Sequence, residues 1–254
     1  MTVPRILHQT WKTHEVPESL QPLRQAWLKI TPDYQHPLYD DADLRNIIQT
    51  HFPRYLSSYD SFTQNIERVD FARPALLYLY GGVYADLDTE PLRNIDVWLQ
   101  QGKVVLGREP LEHSRGLYGR EVVLCNAFII SPPRQQVWLD FMDYIVAHYE
   151  PYYKPVENTG PMALTKFYEA HPDKFSNTVI TDPCVFFPVL SDGSTSQGCN
   201  LDEAYVRHLW RNTWVVQGTR GWLKTYGRNK RLWFWGLLFL FFVLCIVAWI
   251  YTSR

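Results

Sequence analysis

Residues Tyr80 to Pro91 read YGGVYADLDTEP, and the segments on either side of the two glycines predict different secondary structures. On the N-terminal side, residues 66–80 place apolar side chains at the helical period, and the two glycines that follow are typical of a helix end. After the glycines, residues 83–87 alternate as in a strand, which directs Asp86 and Asp88 to one face. A helix, a glycine turn and a strand that ends in two carboxylates predict an α/β sheet with a ligand site at that end.

Further strands and helices alternate along the chain. Period-two apolar runs predict strands, and the 3.6-residue period predicts helices. The predicted strands are 3–7, 35–39, 104–107, 122–130, 179–181 and 184–187, and the other predicted helices are 20–30, 41–50, 135–149 and 162–170. Pro74 predicts a kink in helix 66–80, or a later start. The alternation indicates one α/β domain with a mostly parallel central sheet.

The composition excludes several classes of function. The 254 residues carry a formal net charge of −1, which argues against a nucleic-acid partner, because such proteins carry a basic excess. Phosphoryl transfer is a poor fit, since the chain has no P-loop motif. The four cysteines lack C-x-x-C spacing, so we predict ordinary thiols, with neither a disulfide framework nor a zinc site: Cys125, Cys184, Cys199 and Cys245.

The C-terminal region carries a candidate membrane anchor. Residues Leu232 to Tyr251 contain no charge, and 20 residues of helix span about 30 Å, the thickness of the bilayer hydrocarbon. Aromatic residues lie near both ends of this segment, as in an interfacial belt. We therefore expect a domain at 1–227, a basic linker at 228–231 and a transmembrane helix at 232–251.

The charges that flank this segment predict its orientation. Basic residues precede the span, and only Arg254 follows it, so the positive-inside rule places the domain in the cytosol. The same basic residues could instead hold anionic lipid head groups. The preceding residues are Arg220, Lys224, Arg228, Lys230 and Arg231.

The aspartate pair is either solvated at a strand tip or bound to a cation. Two carboxylates so close repel each other unless a positive charge lies between them. Hard oxygen ligands suit Mg²⁺ or Mn²⁺, which commonly bridge protein carboxylates to phosphate oxygens. On the preceding helix, Asp70 and Arg73 share a face at i, i+3. They form either a surface ion pair or, because this apolar helix leads directly to the aspartates, part of a functional face.

Several motifs together resemble glycosyltransferase family 32, and within it the inositolphosphorylceramide mannosyltransferases. The main one is SYDSFTQNIERVDFARPALLYLYGGVYADLDTEPL, which contains D-x-x-R and then GG-V-Y-x-D-x-D. The other matching segments are VPRILHQTW at 3–11, VLCNAFIISPP at 123–133, NTGP at 158–161 and RHLWRNTW at 207–214. The resemblance covers residues 3 to 215 and implies a GT-A fold that binds a nucleotide sugar.

The resemblance also implies roles for single residues. Asp88 would bind the metal, and Asp86 would contact the ribose and the metal shell. Asp70 and Arg73 would hold hydroxyls of the donor sugar, and these four form the predicted catalytic set. His208 would be the third metal ligand, although the family often carries two adjacent histidines where this chain has Arg207-His208. The remaining predicted donor contacts are Gln9, Trp11, which would stack on the base, Asn126 and Gly160.

Each of these assignments has a structural alternative. Trp11 could be a core tryptophan, and His208 a core or surface histidine. Residues 158–161 could form a plain turn, which favours the same residue types. Tyr152 and Tyr153 either face an acceptor or are structural.

These observations lead to a functional expectation. We expect a membrane-anchored, Mn²⁺- or Mg²⁺-dependent retaining glycosyltransferase that transfers mannose from GDP-mannose to a lipid or glycan acceptor, such as inositolphosphorylceramide. One alternative is a UDP-galactose or UDP-glucose transferase of the same fold. Another is a catalytically silent membrane scaffold. The family resemblance implies the Golgi lumen as the alternative to the cytosolic location.

Overall fold

The computed structural model describes residues 2–211, which fold around one central sheet. The strands are β1 Leu7–Thr10, β2 Leu38–Tyr39, β3 Gly82–Ala85, β4 Thr89–Pro91, β5 Val104–Arg108, β6 Leu124–Ser131, β7 Thr178–Thr181 and β8 Val206–His208. The helices are α1 Gln21–Ile30, α2 Asp41–His51, α3 Leu56–Ser61, α4 Asn65–Tyr80, α5 Asp96–Leu99, α6 Leu111–Tyr118, α7 Gln136–His148, α8 Pro155–Asn158, α9 Pro161–Ala170 and α10 Pro183–Phe186. Two 3₁₀ turns lie at Pro53–Tyr55 and Pro172–Phe175.

The central sheet has six strands in the order β2-β1-β3-β6-β5-β7. Strand β1 runs parallel to β2 and β3, and β5 runs parallel to β7. Strand β6 is antiparallel to both of its neighbours. The mostly parallel sheet is thus confirmed, with β6 as the exception. A small second sheet pairs β4 with β8 in antiparallel fashion.

Apolar layers cover both faces of the central sheet. On one face, Tyr84 lies in a cluster with buried residues of α2, α4, α7 and α9. On the other, Val83 and Ala85 pack with Trp27 of α1 and Phe186 of α10. This division follows the strand alternation of residues 83–85.

Helix α4 lies in the core between the sheet and α7. It begins at Asn65 with a capping box between Gln64 and Glu67, so Pro74 does not delay its start. The helix is buried on several sides, since Phe71 through Leu77 are all inaccessible. Glycine is required at its end because a Cβ on Gly82, where φ is +95°, would lie 2.5 Å from the carbonyl oxygen of Ile6.

The structure contradicts three predictions about strands and cysteines. The strand predicted at 184–187 is helix α10, because Asp182 caps it and Pro183 occupies its first turn. The first strand was predicted at residues 3–7, but it begins at Leu7, so residues 3–6 lie before it. Cys184 and Cys199 form a disulfide, so they are not ordinary thiols, whereas Cys125 is free and buried.

Within residues 2–211, no helix combines the length and apolar character needed to cross a membrane. The predicted linker and transmembrane helix, 228–251, lie outside the described residues, as does Cys245.

Candidate active site

The two aspartates lie in a turn that follows β3. The strand ends at Ala85, so the predicted strand 83–87 is two residues too long. The backbone N–H of Asp86 donates to the carbonyl of Ala127 on β6, and Thr89 closes the turn by donating to the carbonyl of Asp86. The turn, rather than strand alternation, therefore sets the direction of both carboxylates.

His208 reaches the aspartates through the small second sheet. The register of β4 and β8 pairs Thr89 with His208. The ring Nε2 of His208 lies 3.0 Å from Oδ1 of Asp88, and the backbone N–H of Arg211 donates to Oδ2 at 2.8 Å. His208 thus lies beside Asp88, and its role as a metal ligand stays a prediction.

Asp86, Asp88 and His208 offer ligand atoms that all lie within 4.8 Å of one another. Two carboxylates and one imidazole suit Mn²⁺ or Mg²⁺, with positions left for phosphate oxygens. The residues therefore fit the predicted metal. A second cluster of the same donor types, His14 with Asp40 and Asp43, is explained by the capping box that these aspartates form at α2.

Arg73 of α4 connects two of the carboxylates. Its Nη1 lies 3.2 Å from Asp70 and its Nη2 lies 3.0 Å from Asp86. Both Arg73 and Asp70 side chains are only 6% exposed, so this is a buried network and not a surface ion pair. The guanidinium also lies over the ring of Tyr84, 4.8 Å from its centroid.

Asp70 is held by residues from two further segments. Asn126 on β6 donates its side-chain N–H to Oδ1 at 3.0 Å, and Thr159 donates its hydroxyl to Oδ2 at 3.1 Å. Arg73 in turn donates to the backbone carbonyl of Asn126. A Cβ on Gly160 would lie 3.4 Å from Oδ2 of Asp70 and 3.0 Å from the Cα of Val156. The predicted residues Asn126 and Gly160 thus lie beside the predicted Asp70.

Burial and neighbouring charges shift the pKa values of the ionisable side chains in the site. Burial raises the pKa of Asp70 to about 6 and also raises the pKa of Asp86. Burial alone would raise the pKa of Asp88, but the charge and hydrogen bond of His208 lower it to about 2. Burial opposes protonation of His208, yet Asp88 raises its pKa above 6.5.

Two further predicted donor contacts are Gln9, on β1, and Trp11, which directly follows this strand. The carboxamide Oε1 of Gln9 accepts from Arg24, and its Nε2 is buried without a partner among residues 2–211. Trp11 is partly buried against the cluster that contains Leu87, the residue between the two aspartates. Neither residue hydrogen-bonds the aspartates, so their role as donor contacts stays a prediction.

Sequence reasoning missed three residues of the site. Tyr84 donates its hydroxyl to Oδ1 of Asp86 at 2.9 Å and also bonds the hydroxyl of Thr10. The sequence did contain a signal for this contact, because Tyr84 lies two residues before Asp86 and strand alternation predicts that both side chains lie on the same face. Thr159, in the NTGP motif, contacts Asp70 as described above. Glu109 lies buried just after β5, where burial raises its carboxyl pKa to about 8. Tyr152 and Tyr153 are exposed, and a position facing an acceptor stays a prediction for both.

Comparisons with known proteins agree with this geometry. Residues 17–105 match the family described as "Glycosyltransferase sugar-binding region containing DXD motif". The chain is 33% identical over 168 residues to inositol phosphoceramide mannosyltransferase 3 of Schizosaccharomyces pombe, covering 66% of this chain and 45% of that protein. It is 30% identical over 174 residues to mannosyl phosphorylinositol ceramide synthase SUR1 of Saccharomyces cerevisiae, covering 66% of this chain and 42% of that protein. The chain thus spans less than half the length of these relatives.

One solved structure shares the fold. The ligand-free glycosyltransferase domain from the YGT toxin superposes with a TM-score of 0.50 at 8% identity, covering 71% of this chain and 80% of that one. At this identity the likeness concerns the fold alone, which is α/β and GT-A-like with a mixed, mostly parallel sheet.

Proposed function

Since residues 17–105 belong to the family of glycosyltransferase sugar-binding regions that contain a DXD motif, we propose that this chain is a divalent-metal-dependent glycosyltransferase. It takes a nucleotide sugar, GDP-mannose, and transfers mannose with retention to a lipid acceptor that carries an inositol phosphate head group. The donor and acceptor are suggested by the names of the mannosyltransferases and the ceramide synthase to which the chain is similar.

The observation that carries this proposal is the convergence of Asp86, Asp88 and His208 beside the buried pair of Arg73 and Asp70. Asp86, Asp88 and His208 would hold Mn²⁺ or Mg²⁺. A bound cation would stabilise the negative charge of a leaving nucleoside diphosphate.

Arg73 supplies the fixed positive charge of the site. Its two Nη atoms are held by Asp70, Asp86 and the carbonyl of Asn126. Its Nε is buried and has no partner among residues 2–211. Asp70, held by two neutral donors, is oriented before a sugar arrives, which reduces the entropy lost on binding.

The lipid acceptor is supported by the apolar segment 232–251 of the sequence. A tethered domain meets membrane lipids at a high effective concentration. The Cys184–Cys199 disulfide supports the lumenal side, because disulfides persist in oxidising compartments and are rare in the cytosol. This side runs against the flanking charges. Protease protection of a tag at residue 1 in sealed vesicles tests it: digestion of the tag in intact vesicles would favour the cytosolic side.

The activity is tested with the 254-residue chain in detergent, Mn²⁺ and a panel of GDP- and UDP-sugars, by measuring the release of nucleoside diphosphate. We expect release from GDP-mannose that disappears in Asp88→Asn and persists in the matched control Asp33→Asn, whose side chain is exposed and distant in sequence. Release from a UDP-sugar alone would reject the mannose assignment. Metal-dependent nucleotide binding without any turnover would favour the silent scaffold.

A further inference from the structure

Glu109 is a buried carboxyl group with an oxygen that no residue in 2–211 hydrogen-bonds. It follows β5, and its backbone N–H donates to the carbonyl of Val123 at 2.8 Å. The residue is 3% exposed, and its Oε2 is buried without a hydrogen-bond partner in this part of the chain. Burying a carboxylate in this way is costly, so the group calls for a ligand or partner that the resting site lacks.

His208 has a complementary unsatisfied atom. Its Nε2 faces Asp88, while Nδ1, on the other edge of the ring, is buried and has no partner among the described residues. The ring is packed against Trp210, at a centroid distance of 4.2 Å, and near Phe187, at 6.2 Å. Glu109 is brought to this ring by the residues on either side of it. Gly107 lies against Phe187, since a Cβ on Gly107 would be 2.5 Å from that ring, and His113 packs on Trp210 at a centroid distance of 4.6 Å. A buried acceptor and a buried ring nitrogen therefore lie in the same small region.

Two other acceptors of this region are already engaged, while the Nδ1 of His113 is itself buried without a partner among residues 2–211. The Nε2 of His113 accepts from the backbone N–H of Ser191 at 3.1 Å, so its Nδ1 carries the proton and cannot accept another. Glu112 accepts from Ser196 and from the backbone of Gln197. Glu109 is left as the acceptor for the Nδ1–H of His208.

We propose that Glu109 is a positioning residue of the metal site, whose carboxylate accepts the Nδ1–H of His208, directly or through one water, when Nε2 binds a divalent cation. Holding the proton on Nδ1 keeps the lone pair of Nε2 free for the cation and orients the ring. Histidine ligands commonly donate their second ring N–H to a carboxylate, and loss of that partner typically lowers metal affinity about 10- to 100-fold. The inference rests on the metal dependence proposed above.

The test measures binding of Mn²⁺ alone to the 254-residue chain in detergent, by the EPR signal of free Mn²⁺. Glu109→Gln keeps the shape and an acceptor oxygen but removes the charge, whereas Glu109→Met removes both. We expect affinity to fall in the order wild type, Gln, Met, with the Met variant about 10- to 100-fold weaker. The matched control is Glu169→Gln, which removes a carboxylate of an exposed ion pair on α9 and should bind Mn²⁺ as the wild type does.

A second measurement separates positioning from a structural role. Because the unpaired carboxylate is a cost to the metal-free fold, Glu109→Met should melt in EDTA at or above the wild-type temperature. In a His208→Ala background, Glu109→Met should lower Mn²⁺ affinity little further.

Equal Mn²⁺ affinity in the wild type and both Glu109 variants would overturn the inference while leaving the metal site intact. The same loss with and without His208 would also overturn it, since Glu109 would then act independently. Absence of Mn²⁺ binding by the wild type would overturn both this inference and the proposed metal dependence.

Discussion

The Nη2 atom of Arg73 lies 3.0 Å from Oδ1 of Asp86, which joins the middle of α4 to the end of β3. The same oxygen accepts from the Tyr84 hydroxyl at 2.9 Å. Asp86 therefore balances the buried guanidinium with one oxygen and can offer the other to a cation. The first aspartate of the D-x-D pair thus links the metal site to the Arg73–Asp70 pair.

Replacing Arg73 with lysine should impair both activity and folding. A lysine offers a single ammonium and cannot contact Asp70, Asp86 and the Asn126 carbonyl with the fixed geometry of a guanidinium. We expect kcat to fall about 100-fold. If one of the buried carboxylates loses its partner outright, the fold should lose about 3 to 5 kcal/mol. Nucleoside diphosphate release and urea unfolding measure these effects.

The matched control is Arg45→Lys, because Arg45 pairs with Asp60 at the surface. It should leave both activity and the unfolding midpoint close to wild type. Equal effects of the two substitutions would mean that the buried position of Arg73 carries no special role.

Asp88→Asn should weaken Mn²⁺ binding and reduce activity more than it alters the fold. The asparagine keeps the shape and can still accept from the backbone N–H of Arg211, but it lacks the charge that attracts a cation. Mn²⁺ titration should show at least about a tenfold loss of affinity, and EDTA should abolish wild-type activity until Mn²⁺ is restored. Full activity in EDTA would contradict the role of the aspartate pair.

Thr159→Val should raise the donor KM with little change in kcat for the bound donor. The substitution keeps the volume of the side chain but removes the 3.1 Å hydrogen bond to Oδ2 of Asp70. Hydrogen bonds to charged groups contribute about 1.5 to 3 kcal/mol, so a tenfold or larger rise in KM is expected if Asp70 contacts the sugar, about 1.4 kcal/mol per factor of ten. Thr13→Val, at an exposed residue, serves as the control. An unchanged KM in Thr159→Val would argue against Asp70 as a sugar contact.

His8 should make the fold sensitive to acid. Its Nε2–H donates to the Gly81 carbonyl and its Nδ1 accepts from the Tyr39 hydroxyl, so the buried ring is neutral. Burial lowers its pKa from 6.5 to about 4. Between these values the unfolded chain binds a proton that the folded chain does not. The free energy of unfolding therefore falls as pH falls through this window, by about 3 kcal/mol in total.

The His8→Gln variant isolates this effect. It should be less stable than wild type at pH 7, and the difference between the two should shrink as the pH approaches 4, measured by urea unfolding. His51→Gln, at an exposed residue of α2, should follow the wild-type pH dependence. A constant difference between wild type and His8→Gln across this range would contradict the predicted neutral ring.

Removing the disulfide should destabilise the loop that supports His208. Residues 184 and 199 are 15 apart, and closing a loop of this size stabilises a fold by about 3 kcal/mol. Within the loop, the carbonyl of Val189 accepts from the indole of Trp210, the ring packed on His208. The double substitution Cys184→Ser/Cys199→Ser should lower Tm, and reductant should lower wild-type Tm similarly without affecting the variant. Peptide mapping that finds both cysteines free in the native protein would reject the bond.

Features that depend on neighbouring residues along the chain could be predicted from the amino-acid sequence. The helical period of 66–80, the two glycines and the alternation of 83–87 predict α4, its end and β3, because these patterns arise from local backbone geometry. The strand itself ends at Ala85, two residues earlier than predicted. The D-x-x-R motif lies on α4 and the D-x-D motif directly follows β3, so local sequence brings the four predicted catalytic residues together, while the family resemblance implies their roles.

The contacts between these residues and distant parts of the chain depend on the tertiary fold. His208 meets Asp88 across 120 positions because β8 pairs with β4 in one register, and Thr159 meets Asp70 across 89. The disulfide and the isolation of Glu109 likewise depend on how loops fold over the sheet. Register and loop packing are set by the sum of many long-range contacts, which no local pattern of residues encodes.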